Sequence, residues 1–392
     1  MSVPIAVMAR RSIQRLKAAL GVGLVGALVL TAGLAGTARA ASTLDVGVGV
    51  GTGTVAGNAY TPGDVTVLVG DSVRFTIASD EPHSITFGNG PAGVPPPNWP
   101  AAGFAGTVPA PPATAALTAT YDGTGFLNTE VIFKGSTATV TFTSPGSFGF
   151  ICVIHPGMAG TVNVVASGAT TTQADADAKA ALTRNALLGA VDGLAQSTTA
   201  QVKQTKRSDG TSRWDIFANA MQPPSPQPGG GTGFLELLQF VPPSLKIGAG
   251  DTVKWTATAP HTVTFPAAGQ DPATIHPFTA PATTKSVYDG KSLFNSALLA
   301  TGAPGVPSTY ELTFPTPGTY NYVCALHQFL GQTGRIVVAA APVPPPVVTP
   351  PPTDTGPLPS NAPGGAPPWA AIGLLALLGL SIGAGALALR RR

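Results

Sequence analysis

The sequence predicts an all-β protein, two Greek-key β-sandwich domains joined by a partly helical linker. Three observations carry this. Glycine and proline supply 48 and 40 of the 392 residues, nearly twice the usual share, which disfavours long helices and suits short strands joined by turns. Charged residues are only 10 % of the chain, too few for a long coiled coil or a charge-rich disordered chain. Finally, one pattern of alternating apolar and polar residues occurs twice, in 44–166 and again in 211–340.

The two ends differ from the body. Residues 1–40 carry five basic residues, an apolar run over 18–36 and Ala38-Arg39-Ala40 before Ala41. That is the layout of a secretory signal peptide. The Arg10-Arg11 pair gives a weak twin-arginine signature, because Gln14 stands where an apolar residue is usual. At the other end, a Pro-rich tether (341–368) leads to an apolar segment (369–389) and a cytoplasmic Arg tail (390–392). Twenty-one helical residues rise about 31 Å, enough to span a bilayer core. The expectation is an exported chain anchored to the cytoplasmic membrane, with its body outside the cytoplasm. The order of Leu358-Pro359, apolar span and arginines also resembles a cell-wall sorting signal, but the Thr-Gly that sortases cut is missing.

The net charge of +3 comes from these ends. Between them, thirteen basic residues face eighteen acidic ones, a net −5. No basic run occurs there, so nothing supports nucleic-acid binding. Residues 44–166 hold seven acids and two bases, whereas 211–340 hold six of each. A basic docking partner would suit the first domain.

The repeats match in detail. Gly70-Asp71 and Gly250-Asp251 mark turns before the strands that hold Phe75 and Trp255. Pro82-His83-Ser84-Ile85-Thr86-Phe87 matches Pro260-His261-Thr262-Val263-Thr264-Phe265, and Tyr121-Asp122-Gly123 matches Tyr288-Asp289-Gly290, each leading to an Asn, Asn128 or Asn295. Pro145-Gly146 and Pro317-Gly318 open the strands that end at Cys152 and Cys324. Between the repeats, linker 167–210 contains one Ala/Leu-rich helical run, read as a spacer packed between the sandwiches. Gly47, Gly49, Gly51 and Gly53 precede no helix and form no phosphate loop. They read as a flexible lead-in.

Chemistry gathers on the histidines and cysteines. The chain has two cysteines and five histidines, six of them at matching places in the repeats. His83 is followed by Cys152, His155 and Met158; His261 is followed by Cys324 and His327. A disulfide would join equivalent positions of two separate domains and leave a histidine three residues after each cysteine without a role. A thiolate, two imidazoles and a weak axial donor instead suit a copper ion that switches between Cu(I) and Cu(II).

At these residues the sequence resembles the cupredoxins, the blue-copper family of plastocyanin, amicyanin and pseudoazurin. The resemblance covers both repeats. It implies two type 1 copper sites, with His83, Cys152, His155 and axial Met158 in one, and His261, Cys324 and His327 in the other. The first loop is short, like that of amicyanin. The second is two residues longer, as in plastocyanin, and leaves two readings for its axial position. Leu330 there would provide no donor and give a high potential. Gln332 would offer an amide oxygen, as in stellacyanin-like sites, and favour Cu(II); the loop length favours Gln332.

The resemblance further implies a carrier of single electrons with separate donor and acceptor proteins, or a copper storage or delivery module. An enzyme is not expected. Further copper centres of the oxidase kind need at least three more histidines, and only His276 is left over, in a Pro-rich connection where it reads as an exposed loop residue. The one acidic pair, Asp80-Glu81, reads as a solvated turn.

Overall fold

The computed structural model describes residues 39–340 except 93–97, 99, 108–112 and 277–281. The tether, the apolar span and the Arg tail lie outside the described residues, as does the signal peptide apart from its last two positions. Among the described residues no helix is long and apolar enough to cross a membrane.

Period-two alternation builds the first sandwich. Its strands are β1 (Thr43–Val50), β2 (Val55–Thr61), β3 (Asp64–Leu68), β4 (Ser72–Ile77), β5 (Thr86–Phe87), β6 (Ala116–Tyr121), β7 (Leu127–Asn128), β8 (Thr137–Phe142), β9 (Gly146–Ile151) and β10 (Ala159–Val165). One sheet runs β6-β8-β4-β1-β2 and the other follows β10-β9-β5-β7, with β3 beside β10. Along β8 the residues Ala138, Val140 and Phe142 point inward while the threonines between them are half-exposed. Phe75, Phe87, Phe150 and Tyr60 meet edge-on or tilted at the centre of this core. Such rings gain about 0.5–1.5 kcal/mol per pair beyond the area they bury.

The glycine stretch read as a flexible lead-in is instead structural. β1 pairs in parallel with β4, from Thr43 opposite Ser72 to Val48 opposite Ile77, and buries Leu44, Val46, Val48 and Val50. Gly49 has φ +76, and a Cβ there would lie 2.1 Å from Ser79 Oγ and 2.3 Å from His83 Nε2. The glycine is required because a histidine and its hydroxyl partner pack directly against the backbone.

Two helices follow, α1 (Gln173–Gly189) and α2 (Val191–Thr199). Thr172 and Asp175 form a reciprocal capping box that starts α1. The helix buries Ala176, Ala180, Thr183 and Leu187, and it packs on β1 and β2.

The second repeat contributes β11 (Lys203–Lys206), β12 (Ser212–Phe217), β13 (Ala220–Met221), β14 (Ser225–Pro226), β15 (Thr232–Leu237), β16 (Ser244–Gly248), β17 (Thr252–Thr256), β18 (Thr264–Phe265), β19 (Phe294–Asn295), β20 (Thr309–Thr313), β21 (Gly318–Val323) and β22 (Thr333–Ala339). Its sheets run β11-β12-β17-β20 and β16-β22-β21-β18-β19, around Trp255, Phe265, Phe314 and Tyr322. β11, inside the segment read as linker, is an edge strand of this sandwich.

β15 crosses the boundary between the repeats. It pairs antiparallel with β2, Phe234 opposite Asn58 through Leu237 opposite Val55, and it meets β10 at Ala159. A strand of the second repeat thus joins the two sheets of the first sandwich into one hydrogen-bonded path, while the two sheets of the second sandwich stay separate from it. Leu235, Leu237, Val241 and Ala220 of the second repeat share a cluster with Val50 and Ala59 of the first and Leu187 of α1. The helical segment does pack between the sandwiches, and it seals this shared core.

Two consequences can be measured. Leu235→Ala removes a fully buried side chain from the shared cluster and should cost about 2–5 kcal/mol. Calorimetry should show one transition in the parent and two separated domain transitions in the variant. Asp71 is buried, which works against its charge, but Arg39 at 2.6 Å and the N–H groups of Ser42 and Leu68 hold its carboxyl down to about 2. Its contribution to stability is complete above the unfolded carboxyl pKa of about 3.9 and is lost as pH falls through about 2. In a chain that retains Arg39, Asp71→Asn should flatten stability over this acid range.

Candidate metal centres

Each sandwich brings together one thiol and two imidazoles. In the first, His83 follows the loop after β4, and Cys152 and His155 lie on the loop between β9 and β10. Cys152 Sγ is 3.8 Å from His83 Nδ1 and 3.4 Å from His155 Nδ1, and the two nitrogens are 3.1 Å apart. In the second, Cys324 Sγ is 3.6 Å from His261 Nδ1 and 3.5 Å from His327 Nδ1, with the nitrogens 3.2 Å apart. A point equidistant from each set of three atoms lies about 2.0 Å from every one of them, the length of a metal–imidazole bond. Both triangles therefore fit one metal ion without rearrangement. No other groups of metal-ligating side chains with such geometry occur among the described residues.

The opposite ring nitrogens explain why every Nδ1 faces inward. His83 Nε2–H donates to Ser79 Oγ at 3.0 Å, and Ser79 itself donates to the Glu81 carbonyl. His261 Nε2–H donates to Glu236 at 2.8 Å, an acid on the crossing strand β15 that also accepts from Asn219. His155 Nε2 and His327 Nε2 both lie 3.5 Å from Glu81 Oε1. With each Nε2 carrying its proton toward an oxygen, the lone pair of each Nδ1 is left for a metal.

The cysteine loops are held by a relay that the repeats share. Ser84 Oγ accepts from Val153 N, and its equivalent Thr262 Oγ1 accepts from Ala325 N. These hydroxyls contact Thr86 and Thr264, which donate to Asn128 and Asn295. The asparagines singled out in the sequence thus brace the loops. Backbone N–H groups of Ser84 and Thr262 also donate to the sulfurs, at 3.4 and 3.3 Å. Such donors tune the potential of a thiolate-bound metal.

Charge completes the picture. Burial pushes both thiols up, but the adjacent imidazoles pull Cys152 and Cys324 well below the ordinary thiol range. Burial likewise disfavours a charged His155, yet the Cys152 thiolate and Glu81 raise it to about 10. His261 is raised against its burial by Cys324 and Glu236, whereas burial lowers His83, which has only a hydroxyl at Nε2. Both shifts favour the thiolate, the form that binds metal.

The two loops answer the length difference in one way. Cys152 N donates to Met158 O, and Cys324 N donates to Gln332 O. Gln332, not Leu330, holds the backbone position equivalent to Met158. The two additional residues are absorbed by a 3₁₀ turn, Gln328–Leu330, that ends at Gly331 with φ 99. Leu330 is half-buried in that turn. Gln332 is fully buried, with its amide oxygen 3.0 Å from His261 Nδ1 and 3.1 Å from His327 Nδ1, and its amide nitrogen donating to Ala218 O. Met158 is fully buried in the first core.

Sequence reasoning missed Glu81 and Glu236. Glu81, read as part of a solvated turn, is 6 % exposed. The available signal was a mismatch between the repeats: from Asp71 to Pro82 the first copy is two residues longer than from Asp251 to Pro260, and it places Glu81 where the second has Ala259. Glu236 gave no signal, because its partner strand belongs to the other repeat. His276 is exposed in its loop, as expected.

The model for copper binding proteins of the plastocyanin/azurin family matches residues 47–165 and 232–339. Amicyanin-alpha of Methylorubrum extorquens is 30 % identical over 126 residues, 31 % of this chain and 84 % of its own length. Plastocyanin of Scenedesmus fuscus is 36 % identical over 103 residues, 26 % of this chain and 87 % of its own. Among solved structures, a reduced amicyanin variant is 24 % identical, with 26 % of this chain and 74 % of that chain covered and a TM-score of 0.18. With both repeats matched and a His/Cys/His group in each that can hold one copper, the chain belongs to the plastocyanin/azurin family of copper-binding proteins.

Proposed function

We propose that this chain is an exported, membrane-tethered carrier of single electrons with two type 1 copper centres. His83, Cys152, His155 and Met158 would hold the first copper, and His261, Cys324, His327 and Gln332 the second. The observation that carries the reading is the pair of thiolate–imidazole triangles, each sized for one ion and each closed by a prearranged set of hydrogen bonds. Copper bound there supplies a one-electron Cu(I)/Cu(II) couple. The chain's own part is to hold the ligands rigid, so that little reorganisation accompanies a change of charge, and to exclude water, since both cysteines are buried.

The sites would differ in potential. A thioether at Met158 is a soft donor that tolerates Cu(I), whereas the harder amide oxygen of Gln332 favours Cu(II). Glu236, an anion on a ligand of the second site alone, acts in the same direction. An electron then runs downhill from the second site to the first. The signal-peptide pattern and the 369–389 segment support a location outside the cytoplasmic membrane, with cell-wall attachment as the other arrangement. Donor and acceptor proteins complete the circuit, and the net −5 of residues 44–166 suits a basic partner. The family favours a carrier over an enzyme. Storage or delivery of copper uses the same ligands and is distinguished by the test below.

Copper-loaded protein should bind two ions with intense charge-transfer colour and undergo reversible one-electron reduction at each; colourless or Cu(I)-only binding would support storage. Cys152→Ser should abolish the colour of the first site and leave the second. Gln332→Met should raise the second potential toward the first, read by redox titration in the Cys152→Ser background.

A further inference from the structure

We propose that Glu81 is a shared bridge that couples the two centres through their outward histidines. The two contacts of 3.5 Å from one carboxylate oxygen, Oε1, place His155 Nε2 and His327 Nε2 no more than 7.0 Å apart. The path from one thiolate–imidazole triangle to the other is thus one imidazole, one carboxylate and one imidazole. This rests on the two-copper reading above.

Burial argues for a dedicated role. A carboxylate taken out of water costs several kcal/mol unless its charge is matched. The Glu81 side chain is 7 % exposed and its ion-pair contacts are His155 and His327, with the charge of His83 also nearby, while Oε2 has no hydrogen-bond partner among the described residues. The neighbouring Asp80, by contrast, pairs with exposed Lys134 and with Gly53 N. Pro82 and the Ser79-to-carbonyl hydrogen bond hold the Glu81 backbone in place.

The junction around the bridge is built by both repeats. Phe234 on β15 meets His155 edge-on, with centroids 6.5 Å apart, and Thr232 Oγ1 donates to Gly157 O in the first metal loop. In return Gln239 reaches Thr54, whose methyl also lies near the Gly331 position in the second metal loop. The imidazoles that close each metal loop consequently face the other domain, only 10 and 12 % exposed. The step Glu81 serves is a single-electron exchange, one copper oxidised from Cu(I) to Cu(II) as the other is reduced. No bond breaks, and both Nε2 atoms keep their protons.

Glu81 also touches both ligand sets at once, whereas Ser79 and Glu236 each touch one. Removing its charge must therefore alter both centres together. The test compares Glu81→Gln, which keeps shape and an acceptor oxygen, with Glu81→Ala and Glu236→Gln. Each is made in full-length protein and in the single-site backgrounds Cys152→Ser and Cys324→Ser. Glu81→Gln should raise the potential of both sites, and Glu236→Gln only that of the second. Glu81→Ala should lower copper affinity at both by about tenfold. In the Cu(I) protein, the Nε2–H resonances of His155 and His327 should both move in Glu81→Gln. After a small pulse of a one-electron reductant, exchange between the sites should be independent of protein concentration and slower in Glu81→Ala. A blue, two-copper Glu81→Gln protein in which only one potential shifts, or neither, would overturn the bridge alone. Parent protein that never becomes blue would overturn the copper reading instead.

Discussion

The antiparallel pairing of Val55–Thr61 with Thr232–Leu237 is the constraint on which the rest of the arrangement depends. Of these strands, Thr232–Leu237 reaches the first metal loop at Gly157 and Ala159 and carries Glu236 to His261 of the second site. When they hydrogen-bond to one another, the two loops are brought face to face rather than to opposite ends of the molecule. The register then decides the chemistry. Placing Glu236 opposite Ala56 fixes it beneath His261, and placing Phe234 opposite Asn58 sets its ring beside His155. A slip of one residue would send Glu236 to the other face of the sheet.

Rigid support flows outward from the same junction. α1 and α2 cover the shared cluster of Val50, Leu187, Leu235 and Leu237, so the domains cannot separate without exposing apolar surface. Gly49 lets His83 and Ser79 lie against β1 where any side chain would intrude. Within each loop, Ser84 or Thr262 ties the residue after the cysteine to the segment that carries the first histidine. The ligand triangles are therefore held by strand backbone and buried hydroxyls, which tolerate little displacement.

Local pattern made much of this legible. The alternation at Thr137–Phe142, the Gly-Asp turns, and the Cys152-x-x-His155 spacing are each properties of a short stretch of chain, and His83 stood out by its match to His261 in the other repeat. The equivalence of Gln332 with Met158 followed from loop length because the backbone must return to the same hydrogen bond with the cysteine. What escaped was non-local. β1 was hidden because its glycines answer to Thr61, Ser79 and His83, residues well separated in sequence. Glu81 was hidden because an acid before a proline resembles a surface turn unless the other domain is known to cover it.

The repeats were not kept identical, and their differences fall where they alter charge. His83 has a hydroxyl behind it and His261 a carboxylate; the first copy has Met158 where the second has Gln332; Glu81 stands where the second copy has Ala259. The fold is indifferent to these exchanges, since the sandwich cores around Phe75 and Trp255 are built from matching positions. They act instead on the electrostatics of ligands already fixed in place. On the proposed reading, two copper centres of one geometry, given unequal negative charge and joined by one carboxylate, would acquire a direction. A duplicated domain with equivalent sites would have none.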